Sequence, residues 1–157
     1  MTTKEFCDLF LSRSGASVDG EDLSGEGVFS GELSFENKGS FGASQLLLIL
    51  LGKKTAFFSA FESFVINREP LPLLGELYVV KDEEDRPRCA IEVEEVQVLP
   101  FDEVAWSMAR LEGEDENLEQ WRERQEELMK EEASICGFEF KSNSKVVFER
   151  FSVVFRP

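Results

Sequence analysis

Apolar and polar positions alternate along this chain in ways that separate helix-like from strand-like stretches. Residues 3–13, TKEFCDLFLSR, put Phe6, Leu9, Phe10 and Arg13 at helical spacing, with Thr3 as the expected cap. Residues 14–40 are rich in Gly, Ser and acid and read as loop, with one short strand in GVFSGELSF. Residues 43–51, ASQLLLILL, are apolar on every side, the pattern of a buried helix, and Gly52 supplies its left-handed stop. In TAFFSAFESFV, read as a strand, Thr55, Phe57, Ser59 and Phe61 share one face, so two hydroxyls flank Phe57. EPLPLLGELYVV predicts a proline-rich loop and a strand near 76–81, and DEEDRP a turn.

The second half is patterned more strongly. RCAIEVEEVQV, residues 88–98, alternates with Cys89, Ile91 and Val93 on one face. The phase then slips to Val96 and Val98, which predicts a bulge at Glu94–Glu95. Pro100 opens an expected helix, FDEVAWSMARLEGE, in which Phe101, Ala105 and Met108 follow i, i+4, i+7. The same series delivers Glu112 to the end of the buried stripe, where a lone charge is costly without a partner. NLEQWRERQEELMKEEA, residues 117–133, predicts a further helix with Leu118, Trp121, Gln125 and Leu128 inside, and with Asn117 and Gln120 at capping-box spacing. SKVVFERFSVVF, residues 144–155, closes the chain as a strand. One parity carries Glu149 among Val147, Phe151, Val153 and Phe155, and the other carries Val146, Phe148, Arg150 and Val154.

Composition narrows the function. The 157 residues fit one domain, and fifteen Phe are far more than a disordered chain carries. With 32 acids against 17 bases, the net charge of −15 disfavours a duplex-binding face, which needs a basic stripe. No duplex DNA partner is expected, whereas a small nucleoside site or a few bases of single strand remain open. The chain has no His, which removes imidazole catalysis and His-bearing metal sites. Cys7, Cys89 and Cys136 are odd in number and scattered, so neither a disulfide framework nor a metal site is implied. The start lacks a signal pattern and the longest apolar run, LLLILL, is far short of the ~20 residues of a membrane span. A cytoplasmic protein with no membrane partner and no cofactor is expected.

Lys53 and Lys54 follow directly on the apolar helix. The helix dipole favours cations at that end, which is reason enough for surface lysines there. A buried Lys54 paired with Glu112 is the other reading, either as an ion pair that fixes the helix against the sheet or as a pair lining a functional site. Phe57, Phe58 and Phe61 read as core, or one of them as a stacking platform for a base. Trp106 and Trp121 are assigned to packing. Residues 112–132, with ten acids against three bases, read as a solvated face. Alternatively, the acidic helix binds a basic partner.

Four stretches together resemble the ASCH domain family, a branch of the PUA-like β-barrels. FGASQLLLILLGKKTAFFS looks like the family's helix followed by G-x-K-x-x-T. EPLPLLGELYVV is similar to its proline-glycine entry to a strand. CAIEVEEVQVLPFDEVAWSMARLEGE resembles its strand, helix and E-G-E close. WRERQEELMKEEASICGFEFKSNSKVVFERFSVVF resembles its closing helix and E-R-F strand. The four span about residues 41–156, leaving an N-terminal helix and loop over 1–40. The resemblance implies an α+β fold, a small PUA-like β-barrel with helices packed over a cleft. It also implies recognition of RNA or a modified nucleoside, since some members look like amidohydrolases of N4-acetylcytidine that use a Lys, a Thr and a Glu, and others are associated with ribonuclease activity.

Carried over residue by residue, Lys54 stands at the motif lysine and Glu112 at the acid. The motif's last Thr falls on Phe57, which has no nucleophilic oxygen. Ser59 lies two residues along the same expected face, ~6.5–7 Å away at strand rise, and Thr55 is displaced equally. The first expectation is therefore a binding module for RNA or a modified nucleoside. Lys53 would act there as a phosphate contact, with Thr55, Phe57 and Glu149 as further ligand contacts. The alternative is a small hydrolase with Lys54 as base, Ser59 or Thr55 as nucleophile and Glu112 as acid.

Overall fold

The computed structural model describes residues 1–14, 28–34 and 41–157, with the side chains of 14 and 41–44 excepted. Most of the loop expected over 14–40 lies outside the described residues. Among these, five helices and five strands follow the order α1 (Thr3–Ser14), β1 (Gly31–Ser34), α2 (Phe41–Leu50), β2 (Ala56–Ala60), α3 (Phe61–Ile66), β3 (Leu77–Lys81), β4 (Pro87–Pro100), α4 (Trp106–Ala109), α5 (Leu118–Cys136) and β5 (Lys145–Phe155). The strands form one mixed sheet in the order β1-β3-β4-β5-β2, so the expected α+β class holds. Among the described residues, no helix is long and apolar enough to cross a membrane.

The chain divides into two compact units. The first comprises Met1–Gly52, Gly75–Val93 and Ser152–Pro157. In it β1 runs parallel to β3, and β3 antiparallel to the start of β4, with Tyr78 opposite Ile91 and Val80 opposite Cys89. Phe6, Cys7 and Phe10 of α1 are buried with Val79 and Ala90, and the rings of Phe6 and Phe10 meet Phe155 edge-on at 5.2 and 5.5 Å. The cap of α1 is Thr2 rather than Thr3. Its Oγ1 accepts from the Glu5 N–H at 3.1 Å, and Glu5 returns the bond to the Thr2 N–H at 2.8 Å.

The all-round burial expected of α2 is only half met. Ile49 and Leu46 are buried, but Leu47 and Leu51 are 56 % and 59 % exposed. Apolar residues on every side therefore do not mean burial on every side here. Gly52 does take the left-handed conformation that ends α2, with φ 73°. The DEEDRP turn forms as expected, with Asp82 accepting from the backbone N–H groups of Glu84 and Arg86.

The second unit comprises Lys53–Leu74 and Glu94–Phe151. Here β2 pairs antiparallel with β5, from Ala56 opposite Arg150 to Ala60 opposite Val146. Directly opposed residues share a face. One face carries Ala56, Phe58, Ala60, Val146 and Phe148, which are buried with Phe101, Val104, Ala109, Trp121, Met129 and Phe140. The other carries Phe57 and Ser59, opposite Glu149 and Val147. The expected strand ends at Ala60, so Phe61 does not continue its face but opens α3.

Two further expectations are corrected in this unit. The stretch from Pro100 is not one helix: a 3-10 turn over Phe101–Glu103, an extended Val104–Ala105, the short α4 and a second 3-10 turn over Arg110–Glu112 replace it. Its buried residues are Phe101, Val104, Ala109 and Glu112, while Ala105 is exposed. The inner row of α5 is Trp121, Gln125, Met129 and Ala133, a clean i, i+4 series, and Leu128 faces outward. In the first unit the pairing of β3 with β4 shifts register between Val80 and Lys81.

Candidate functional site

The site is built where β2 begins. The Thr55 N–H donates to the Leu111 carbonyl at 2.8 Å, and the Thr55 carbonyl accepts from the Phe151 N–H at 2.9 Å. The first bond holds the strand entry against the Arg110–Glu112 turn, and the second holds it to β5. Gly113 follows that turn with φ 73°. A Cβ there would stand 2.9 Å from the carbonyl carbon of Lys53 and closer still to its oxygen. The close approach thus needs glycine for both its φ and its missing side chain. The consequence is chemical, because the residues on either side of Gly113 are Glu112 and Glu114, and both carboxylates are delivered to one lysine.

Lys54 is 2 % exposed and Glu112 4 %. Lys54 Nζ donates to Glu112 Oε2 at 3.2 Å and to Glu114 Oε2 at 3.2 Å. The second oxygen of Glu112 accepts from Trp121 Nε1 at 2.7 Å and from Gln125 Nε2, with the Arg124 guanidinium at 3.5 Å. Trp121, Arg124 and Gln125 stand at i, i+3 and i+4 on α5, so a single helix face supplies all three donors. The register of that helix is set at its start. The Asn117 side chain accepts from the Gln120 N–H at 2.9 Å, and the Gln120 side chain accepts from the Glu116 N–H.

Arg124 closes the cluster. It grips Asp115 through Nε and a terminal nitrogen at 3.0 and 2.8 Å, and its other terminal nitrogen lies 3.3 Å from Glu114. Burial works against the guanidinium charge, but the hydrogen bond to Asp115 and the charges of Glu112, Glu114 and Asp115 outweigh it and hold Arg124 above its ordinary pKa. Two cations and three carboxylates are thus interlocked, with one negative charge in excess.

The other expected site residues sit as follows. Lys53 is exposed, which suits the surface reading of that lysine, whereas Lys54 is not a surface residue at all. Phe57 is half-buried, its ring stacked on Phe151 at 4.5 Å, with the Lys54 ammonium 5.5 Å from its centroid. Ser59 and Glu149 are half-buried on the same sheet face as Phe57, and Thr55 is half-buried at the strand entry. Among the described residues, the hydrogen bonds of Lys54 run to Glu112 and Glu114, and none runs to Thr55 or Ser59. Arg150 binds Glu94 and Glu95 at 2.6 and 3.0 Å, and its hydrogen bond is the main cause holding Glu95 below the usual carboxylate range.

Sequence reasoning missed Glu114, Asp115 and Arg124, which read as part of a solvated acidic face. It assigned Trp121 to packing alone, although its indole also donates to Glu112. Two signals were present: two glutamates flanking a glycine after an apolar run, and three N–H donors on one helix face.

The family model of the ASCH domain matches residues 33–155. The ASCH domain from Lactobacillus crispatus JV V101 is similar at 27 % identity and a TM-score of 0.79, covering 97 % of this chain and 96 % of that one. Protein EF3133 from Enterococcus faecalis V583, of family DUF984, is similar at 25 % identity and a TM-score of 0.78, over 96 % and 87 % of the two chains. No curated protein matches. The mixed sheet with its helices is the α+β, PUA-like architecture expected, and this chain belongs to the ASCH domain family.

Proposed function

We propose that this ASCH domain binds RNA or a modified nucleoside at the β2–β5 face beside Lys54, and does not hydrolyse it. ASCH domains are commonly linked to RNA binding, which sets the ligand class. The observation that carries the choice of binding over hydrolysis is the saturation of the motif residues. Lys54 is engaged by two carboxylates, and both oxygens of Glu112 are engaged by protein donors. A nucleophile needs its base within hydrogen-bond reach, and neither Thr55 nor Ser59 is a partner of Lys54. The motif position that would supply a hydroxyl is Phe57. On this reading the Lys54–Glu112 pair is a keystone that shapes the binding face. Ser59 and Glu149 make polar contacts to the ligand on that face, and Phe57 makes the apolar one.

The hydrolase reading rests on the same pair, since a lysine 3.2 Å from a glutamate is also what an acid–base couple requires. Amide NMR separates ligand binding from its absence. Titration with N4-acetylcytidine, and separately with a short single-stranded RNA, is expected to move resonances of residues 56–60 and 147–151 saturably. Failure of both ligands to do so refutes the proposal.

A further inference from the structure

The carboxylates of the cluster outnumber its cations, and their placement is selective. Each N–H-bearing nitrogen of Arg124 is directed at a carboxylate, and Lys54 is shared between two. Glu112 is accounted for by its bonds to Trp121 and Gln125. Glu114 has no such role: its carboxylate lies against Lys54 at 3.2 Å and Arg124 at 3.3 Å, and so it occupies both cations at once. A phosphate approaching this site would need those same donors, and would meet a local excess of negative charge.

We infer that Glu114 is a specificity-determining residue that keeps phosphate and phosphorylated ligands away from Lys54 and Arg124. The inference takes the Lys54 cluster as part of the ligand site of the proposed reading. It narrows that reading to ligands presenting a neutral or hydrogen-bonding group there, so a free nucleoside is admitted and a nucleotide's phosphate is turned away. Asp115 assists by holding the guanidinium of Arg124 through two nitrogens.

The test uses inorganic phosphate, so that it stands apart from any nucleoside result. Amide shifts of residues 53–55 and 111–115 are followed against phosphate at constant ionic strength, in the wild-type chain and in Glu114→Gln. The wild type is expected to show no saturable response. The variant, in which a neutral amide replaces the carboxylate shared by both cations, is expected to bind phosphate saturably, at least about tenfold more tightly than the weakest binding the wild-type titration could detect, as the removal of a like-charge contact implies. Adding Lys54→Met to the variant should abolish the gain. Saturable binding by the wild type, or no gain in Glu114→Gln, overturns the inference. Should Glu114→Gln not fold, as judged by circular dichroism, Glu114→Ala removes the same carboxylate from Lys54 and Arg124 and carries the same expectation. A parallel titration with N4-acetylcytidine and with a short single-stranded RNA reports on the ligand reading itself. If neither binds, that reading fails while the phosphate result still decides the role of Glu114.

Discussion

Substituting Gly113 by alanine tests the turn that aims both glutamates at Lys54. Two costs add at this position. At φ 73° an L-residue pays about 1–2 kcal/mol for the left-handed conformation. The new Cβ would also stand 2.9 Å from the Lys53 carbonyl carbon and 3.3 Å from the Lys54 nitrogen. These are backbone atoms pinned through the Thr55–Leu111 and Thr55–Phe151 hydrogen bonds, so the clash is relieved only by moving the strand entry, at about 1–3 kcal/mol for overpacking. The total is about 2–5 kcal/mol. Gly137 supplies an internal control. It also follows a helix in the left-handed conformation, at φ 87°, but a Cβ there meets nothing within 4 Å. Gly137→Ala should therefore cost only the conformational part, about 1–2 kcal/mol. Urea denaturation of the wild type and both variants measures the difference. A Gly113→Ala variant no less stable than Gly137→Ala would refute the close approach and the account of how Glu112 and Glu114 reach Lys54.

Other outcomes follow from the same geometry. Trp121→Phe leaves a smaller ring between Phe58 and Phe101 and removes the N–H that Glu112 accepts, so it should cost at least the about 1.5–3 kcal/mol of that bond in denaturant unfolding. A cost below the range for an uncharged hydrogen bond would show that this contact is not made in solution. Burial opposes the charge of Asp82, but its bonds from the backbone and side chain of Arg86 prevail and lower its pKa. A carboxylate depressed in the folded state contributes stability that is full above its unfolded-state pKa and lost as the pH falls through its folded-state value. Asp82→Asn should therefore flatten the acid limb of the stability curve below about pH 4, and an unchanged limb would contradict this. Burial pushes the Cys89 thiol up to about 11 against the pull of Arg156 and Arg88, and Cys7 is buried too. At pH 8 iodoacetamide should label the half-exposed Cys136 and reach Cys89 only on unfolding, as peptide mass mapping would show.

What was legible in the chain was mostly local. The alternation of Cys89, Ile91 and Val93, the α5 start at Asn117 and the left-handed stop at Gly52 all rest on neighbours a few residues apart, and they formed as expected. The burial of Glu112 was also anticipated, but through an unbroken helix that does not exist. Counting from Phe101 as i, i+4, i+7 puts Ala105 and Met108 inside. The chain instead breaks at Val104–Ala105 and returns Glu112 to the interior through a 3-10 turn. That turn is held by the Thr55 N–H to Leu111 and by the Lys53–Gly113 contact, both of which join positions more than fifty residues apart. Periodicity carries no information about such contacts. For the same reason Arg124 and Asp115 read as solvent charges, although both are largely covered within one cluster. In α5 the stripe was read one residue out of phase at Leu128. Leu is the more apolar choice than Met129 on composition, and only packing against the Phe58–Phe148 layer decides between them.

The central claim is that Lys54 and Glu112 shape a binding face and do not cleave what binds there. The most direct measurement incubates the wild-type chain and Lys54→Ala with N4-acetylcytidine at concentrations that saturate the amide shifts, while following cytidine release by chromatography. The account predicts saturable shifts in β2 and β5 of the wild type with cytidine release no greater than in the variant. Release by the wild type that disappears in Lys54→Ala would contradict it and would make Lys54 a catalytic base.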